Sequence, residues 1–187
     1  MIKDIRIVPL EDSPYVRPKT MLYTYKGKPR RWDLVEVHDS VAILLADPLK
    51  EYFILVKQFR PSVYLHNQDG FTYELCAGIV DKKSSVEQIA KEEVLEECGY
   101  DIPLEQMERV TSFFSSVGFG ASTQTLFYAE VSESLRVSEG GGIDVEDIEV
   151  VYLPFSEAKH FIYDESIAKT PGVLFAIEWY FTHKSVS

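Results

Sequence analysis

The sequence predicts an α/β fold, and three observations carry that expectation. Short runs with the two-residue alternation of strands, or with continuous apolar character, recur between residues 5 and 131. A stretch with helical periodicity interrupts them near residue 85, and two more helical stretches come toward the end. Apolar residues make up 45% of the 187 and aromatics 13%, which suits one domain with a substantial core and a small appendage.

Residues 1–40 read as a β-rich N-terminal portion. Residues 5–8, 20–25 and 31–37 alternate, and Lys26-Gly27-Lys28-Pro29 makes a turn between the last two. Trp32 either stacks on a ligand or packs into a sheet or interface. Residues 41–45 and 52–59 are strong strands, joined by a turn at 47–50 and stopped by Pro61. Arg60, at the end of the second strand, can grip a diphosphate bidentately or serve a surface ion pair. Residues 71–76 form the strand that feeds a tight Ala77-Gly78 turn, and Glu74 within it is placed to support either Arg60 or a metal shell.

The helix that follows runs from Ser85 to about Cys98, with Ser84-x-x-Glu87 as a capping box and Gly99 at its C-terminus. At about 100° per residue, Val86, Ile89 and Ala90 share one stripe with Glu93 and Glu97, while Glu92 and Glu96 lie to one side. Carboxylates thus stand where an amphipathic helix carries apolar residues. Anions in the last turns of a helix oppose its dipole by about 0.3–1 kcal/mol each. Like charges at i,i+4 add about 0.2–0.5 kcal/mol per pair. A hard divalent cation that takes carboxylate, carbonyl and phosphate oxygens offsets that cost.

Residues 109–114 and 122–131 read as two further strands around a loop at 115–120. Glu139-Gly140-Gly141-Gly142 lacks the GK[ST] of a P-loop, and reads as a loop closing over a ligand or as a plain connection. Residues 154–162 suggest a short helix, and Thr170-Pro171 opens the last one. The net charge of −11 argues against nucleic acid as a partner. No apolar run is long enough to span a membrane and no signal peptide opens the chain, so a cytoplasmic location is expected. Cys76 and Cys98 form no CxxC pair and read as core thiols in a reducing compartment. The four histidines show no metal-ligand spacing.

The stretch from Gly78 to Tyr100 resembles the Nudix box, G-x5-E-x7-R-E-U-x-E-E-x-G-U, where U is a bulky apolar residue. Gly78, Glu93, Val94, Glu96, Glu97 and Gly99 match it without a gap, and Tyr100 fills the last apolar slot. Residues 56–61, 74–81 and 146–154, with 13–18, 32–33, 38–41 and 169–173, are similar to the ADP-ribose and nucleotide-sugar pyrophosphatase branch of that superfamily. The resemblance implies a Nudix α/β/α sandwich with mixed sheets over residues 41–187. It also implies that residues 1–40 help build a homodimer and the substrate site. It implies Mg²⁺, with Mn²⁺ as an alternative ion, held by the Ala77 carbonyl, Glu93, Glu96 and Glu97, and a catalytic pair of Glu97 and Glu146. Glu146 would deprotonate or orient the attacking water, with Asp144 and Asp147 close beside it in sequence. Arg60, Trp32 and Ile79 would contact a small nucleotide-sugar substrate, UDP-glucose first and ADP-ribose second. The products would be a nucleoside monophosphate and a sugar phosphate.

The chain departs from the pattern in three places. Ser84 stands where the box has Glu, and Val117 and Ser122 replace residues that many ADP-ribose enzymes carry. Glu92 stands where the box has Arg, a residue that orients the neighbouring glutamates. Lys91, about 100° around the helix, is poorly placed to substitute. Either another cation or a metal holds the acidic cluster, or the chain is a weakly catalytic nucleotide-sugar binding or sensor protein.

Overall fold

The computed structural model describes residues 4–13, 15–143 and 147–184. They divide into two compact units, one made of residues up to His38 with Phe114–Ser122, the other of Asp39–Phe113 and Thr123 onward.

The smaller unit is built on one hairpin. Strands β1 (Arg17–Tyr25) and β2 (Lys28–Glu36) pair antiparallel through a two-residue turn. Lys26 and Gly27 both have positive φ, 51° and 72°, the combination whose twist matches that of the flanking strands. Across the ladder, the Thr20 hydroxyl donates to Asp33 at 2.7 Å and Arg31 donates to it at 3.0 Å. These two contacts hold the Asp33 carboxyl below its ordinary value. The alternating residues 5–8 form no strand. Ile5, Ile7 and Val8 are exposed, and alternation makes a strand only where a neighbour supplies the other half of each hydrogen bond.

In the larger unit a seven-stranded mixed sheet lies between helices. Its strands are β3 (Ser40–Asp47), β4 (Tyr52–Phe59), β5 (Phe71–Glu74), β6 (Cys76–Ile79), β7 (Glu108–Ser115), β8 (Ser122–Glu130) and β9 (Ile148–Pro154). β3 runs parallel to β8 from Ser40 to Ala46, and β4 runs antiparallel to β9 along nearly its whole length. β3 and β4 pair with each other only from Leu45 to Asp47 and then diverge. The chain from 71 to 79 fills the gap. β5 pairs with β4, and β6 pairs with β3. The expected strand at 71–76 is therefore split at Leu75, where the backbone passes from one partner to the other.

Strand alternation sorts the core into two layers. Val41, Ile43 and Leu45 face Ile89, Ala90, Val94 and Cys98 of the acidic helix. Ala42, Leu44 and Ala46 face Ala158 and Ile162 of α3 (Phe155–Tyr163) and Val173, Ala176, Ile177 and Tyr180 of α4 (Pro171–His183). This is the α/β/α sandwich. A short helix, α1 (Pro61–Asn67), has Pro61 in its first turn and no buried residue, so no amphipathic pattern announces it. Lys169 holds the turn before α4, donating to the Asp164 and Ile167 carbonyls at 2.5 and 2.9 Å. Among the described residues, no helix is long and apolar enough to cross a membrane.

Candidate active site

The acidic helix is α-helical from Val86 to Glu93 (α2) and continues as a π-helical turn over Val94–Cys98. Its N-cap is Ser85, one residue later than expected, with the hydroxyl accepting from the Gln88 N–H at 3.2 Å. The i→i+5 bonding of the π turn widens the helix where Glu96 and Glu97 project, a deviation common at functional sites. Gly99, with φ of 78°, ends it, and Tyr100 is buried. Burial and the nearby Tyr152 and Tyr52 hydroxyls push the Tyr100 phenol up.

Glu93 and Glu97 both come to β6. The Ala77 N–H donates to Glu97 Oε2 at 3.0 Å, and Glu97 is only 4% exposed. Glu93 passes directly over Gly78: a Cβ built there would lie 2.0 Å from Glu93 Oε1. The ladder with β3 shows what else Ala77 offers. Val80 N–H bonds the Asp39 carbonyl, so two residues along, Val41 and Gly78 are again a hydrogen-bonded pair, and Ala42 and Ala77 are not. The N–H and C=O of a strand residue face the same edge, so the Ala77 carbonyl faces the edge that its N–H gives to Glu97. Glu92 and Glu96 are half-buried. Glu92 is held elsewhere: Gln88 Nε2 donates to one oxygen at 3.0 Å, and Lys82 Nζ to the other at 3.2 Å. The same contacts, Gln88 first, hold its carboxyl below the usual range. Lys91 is paired with Asp101 at 2.9 Å, turned to a different partner.

Cys76 and Cys98 flank this edge, both free and fully buried. Burial first, then the Cys98 thiol and the Glu97 carboxylate, push the Cys76 thiol up, so it stays protonated.

Arg60 meets Glu74 in a two-pronged pair, Nε to Oε1 and Nη2 to Oε2, each at 2.7 Å, and Thr72 also donates to Glu74. Glu74 is three residues before Ala77, about 10 Å along an extended chain. Replacing Glu74 with alanine is expected to cost about 1–2 kcal/mol in urea unfolding. The pair is partly buried, but the half-exposed guanidinium regains water.

The run of glycines packs against the end of the acidic helix. Gly141 N–H donates to the Glu97 carbonyl at 2.8 Å and Gly142 N–H to the Glu96 carbonyl at 3.1 Å. Gly140 touches the helix backbone so closely that a Cβ would lie 2.3 Å from the Glu97 oxygen. The run is a cap on the helix end, not a plain connection. Glu146 and Asp144 lie outside the described residues, and Asp147 is exposed. Ile79, at the end of β6, is exposed. Trp32 belongs to the smaller unit, half exposed, its Nε1 donating to the Gly118 carbonyl at 3.0 Å. Among the described residues, no three His, Cys, Asp or Glu side chains converge as a preformed metal cage.

No family model matches the chain. It is 41% identical to uridine diphosphate glucose pyrophosphatase of Bos taurus, over 91% of this chain and 90% of the relative. Identity to the Mus musculus protein of the same name is 40% over the same shares. To GDP-mannose pyrophosphatase of Klebsiella pneumoniae it is 34%, over 74% of this chain and 71% of that protein. With Glu93 and Glu97 of its box meeting at one strand of an α/β/α sandwich, the chain belongs to the Nudix hydrolases, in the nucleotide-sugar pyrophosphatase branch.

Proposed function

We propose that the protein hydrolyses the diphosphate of a nucleotide sugar with the help of Mg²⁺, UDP-glucose being the first substrate and ADP-ribose the second. The observation that carries this reading is the meeting of Glu93 and Glu97 at the Ala77-Gly78 edge. The donor set suits the ion. Mg²⁺ is typically held by one or two carboxylates together with substrate phosphates and waters, not by a complete protein cage. Glu93, Glu97 and the Ala77 carbonyl provide hard oxygens of that kind, and Glu96 is the remaining carboxylate of the box. Mn²⁺ accepts the same ligands. When bound, the ion supplies charge neutralisation for the diphosphate and polarises a water.

The protein's own groups account for the rest. Arg60, fixed in orientation by Glu74, grips diphosphate oxygens, and Ile79 borders the substrate. Trp32 stacks on the base. Glu146 takes the proton of the attacking water. The water oxygen bonds to one phosphorus as the anhydride P–O bond breaks, giving a nucleoside monophosphate and a sugar phosphate. The net charge of −11 repels such a substrate, so local positive charge at the site is essential to binding. Residues 1–40 as a dimerisation portion, with 41–187 as the hydrolase domain, complete the reading. Two free, buried cysteines suit a reducing, cytoplasmic setting.

The test is a panel of UDP-glucose, ADP-ribose and GDP-mannose with product identification, with Mg²⁺ and with chelator. The expected result is UMP and glucose 1-phosphate from UDP-glucose, abolished by chelator. No product from any substrate, with ligand-dependent thermal shifts retained, would establish a binding protein instead.

A further inference from the structure

Four of the six residues from 92 to 97 are glutamates, and Glu92 is adjacent in sequence to the Glu93 that crosses Gly78. An unrestrained carboxylate at 92 would compete with Glu93 and Glu97 for any cation. The structure restrains it from the loop between β6 and α2. Lys82 takes one oxygen, and Gln88, one turn earlier on the helix, takes the other. The charge on Lys82 is stabilised by Glu92 first and, more weakly, by Glu96 and Glu93, so its field reaches the cluster.

We propose that Lys82 is a positioning residue that holds the Glu92 carboxylate away from Glu93 and Glu97, so that a divalent cation meets the box pair without a misplaced third carboxylate. This rests on the metal-dependent reading above, and charge accounting makes it testable. Lys82 and Glu92 together carry no net charge. Lys82→Gln leaves −1 and a released carboxylate, Glu92→Gln leaves +1, and the double variant returns to zero. Lys82 and Glu92 are 52% and 33% exposed, so all three variants are expected to keep the fold.

The experiment titrates Mn²⁺ into the full chain, with the free ion followed by electron paramagnetic resonance, and measures Mg²⁺-dependent kcat and KM on the same variants. Lys82→Gln is expected to bind Mn²⁺ about threefold tighter, Glu92→Gln about threefold weaker, and the double variant like the parent. Lys82→Gln is expected to lose about tenfold in kcat with little change in KM, and the double variant to recover it. A double variant that behaves like Lys82→Gln in both readouts would overturn the proposal, because Lys82 would then act on substrate or metal directly. So would unchanged Mn²⁺ affinity in Lys82→Gln. A parent that binds Mn²⁺ but hydrolyses nothing would overturn the hydrolytic reading alone, and the order of the three affinities would still decide the role of Lys82.

Discussion

Replacing Glu97 with glutamine is expected to lower Mg²⁺-dependent monophosphate release about 10³-fold. A metal at a diphosphate stabilises transition-state charge by several kcal/mol, and about 4 kcal/mol corresponds to three factors of ten. The loss should come from the ion and the chemistry, not from unfolding. Glutamine is nearly isosteric and keeps a carbonyl oxygen to accept the Ala77 N–H that Glu97 now receives at 3.0 Å. Glu97 is almost fully buried, so removing its charge also relieves a desolvation cost in the metal-free protein. The metal-free variant is therefore expected to melt at or slightly above the parent. Millimolar Mg²⁺ should raise the melting point of the parent and leave the variant unmoved, because only a state that binds the ion gains from it. An unchanged rate in the variant would remove Glu97 from the catalytic machinery.

What was legible in the sequence follows from which interactions are local. The acidic helix shows itself because its period, cap and terminal glycine all lie within one short stretch, and the strand pattern of β3 states which residues face which layer. The cap was misplaced by one residue because Ser84 and Ser85 both offer a hydroxyl. The hydrogen bond from the Gln88 N–H and the extended backbone, φ −66° and ψ 155°, single out Ser85. The π turn left no mark, since its residues are ordinary helix formers. Lys82 was equally silent: it lies ten residues from Glu92 in sequence, across a loop, and no spacing rule links a loop cation to a helix acid. Residues 5–8 erred in the other direction, with strand alternation but no strand to pair with. At the site, Glu93 and Glu97 were readable as a pair turned inward. That the ladder with β3 leaves the Ala77 peptide facing them depends on long-range register, which composition does not encode.

Two glycine substitutions should separate what the site needs from what the fold needs. In a sequence, glycine reads as freedom, yet Gly78 and Gly140 are both there for want of room. At Gly78 the three atoms closest to an added Cβ, at 2.0, 2.1 and 2.5 Å, all belong to the Glu93 side chain. That side chain can swing aside, so Gly78→Ala is expected to cost under about 1 kcal/mol of stability while lowering activity about 10²-fold as Glu93 leaves its place. At Gly140 the obstacles are backbone: the Glu97 carbonyl oxygen at 2.3 Å and the carbonyl carbons of Cys98 and Glu97 at 2.8 Å. The φ of 71° adds about 1–2 kcal/mol of strain for any side chain. Relief requires the loop to retreat, which breaks the Gly141 and Gly142 bonds to the helix end, at about 1 kcal/mol each. Gly140→Ala should therefore lose about 3 kcal/mol and melt roughly 6–12 °C lower. Its activity should fall as well, because the carbonyls it uncaps belong to Glu96 and Glu97 themselves. A Gly78→Ala protein of full activity would mean that Glu93 does not work from above that glycine. A Gly140→Ala protein of unchanged melting point would mean that the glycine run is not what holds the helix end.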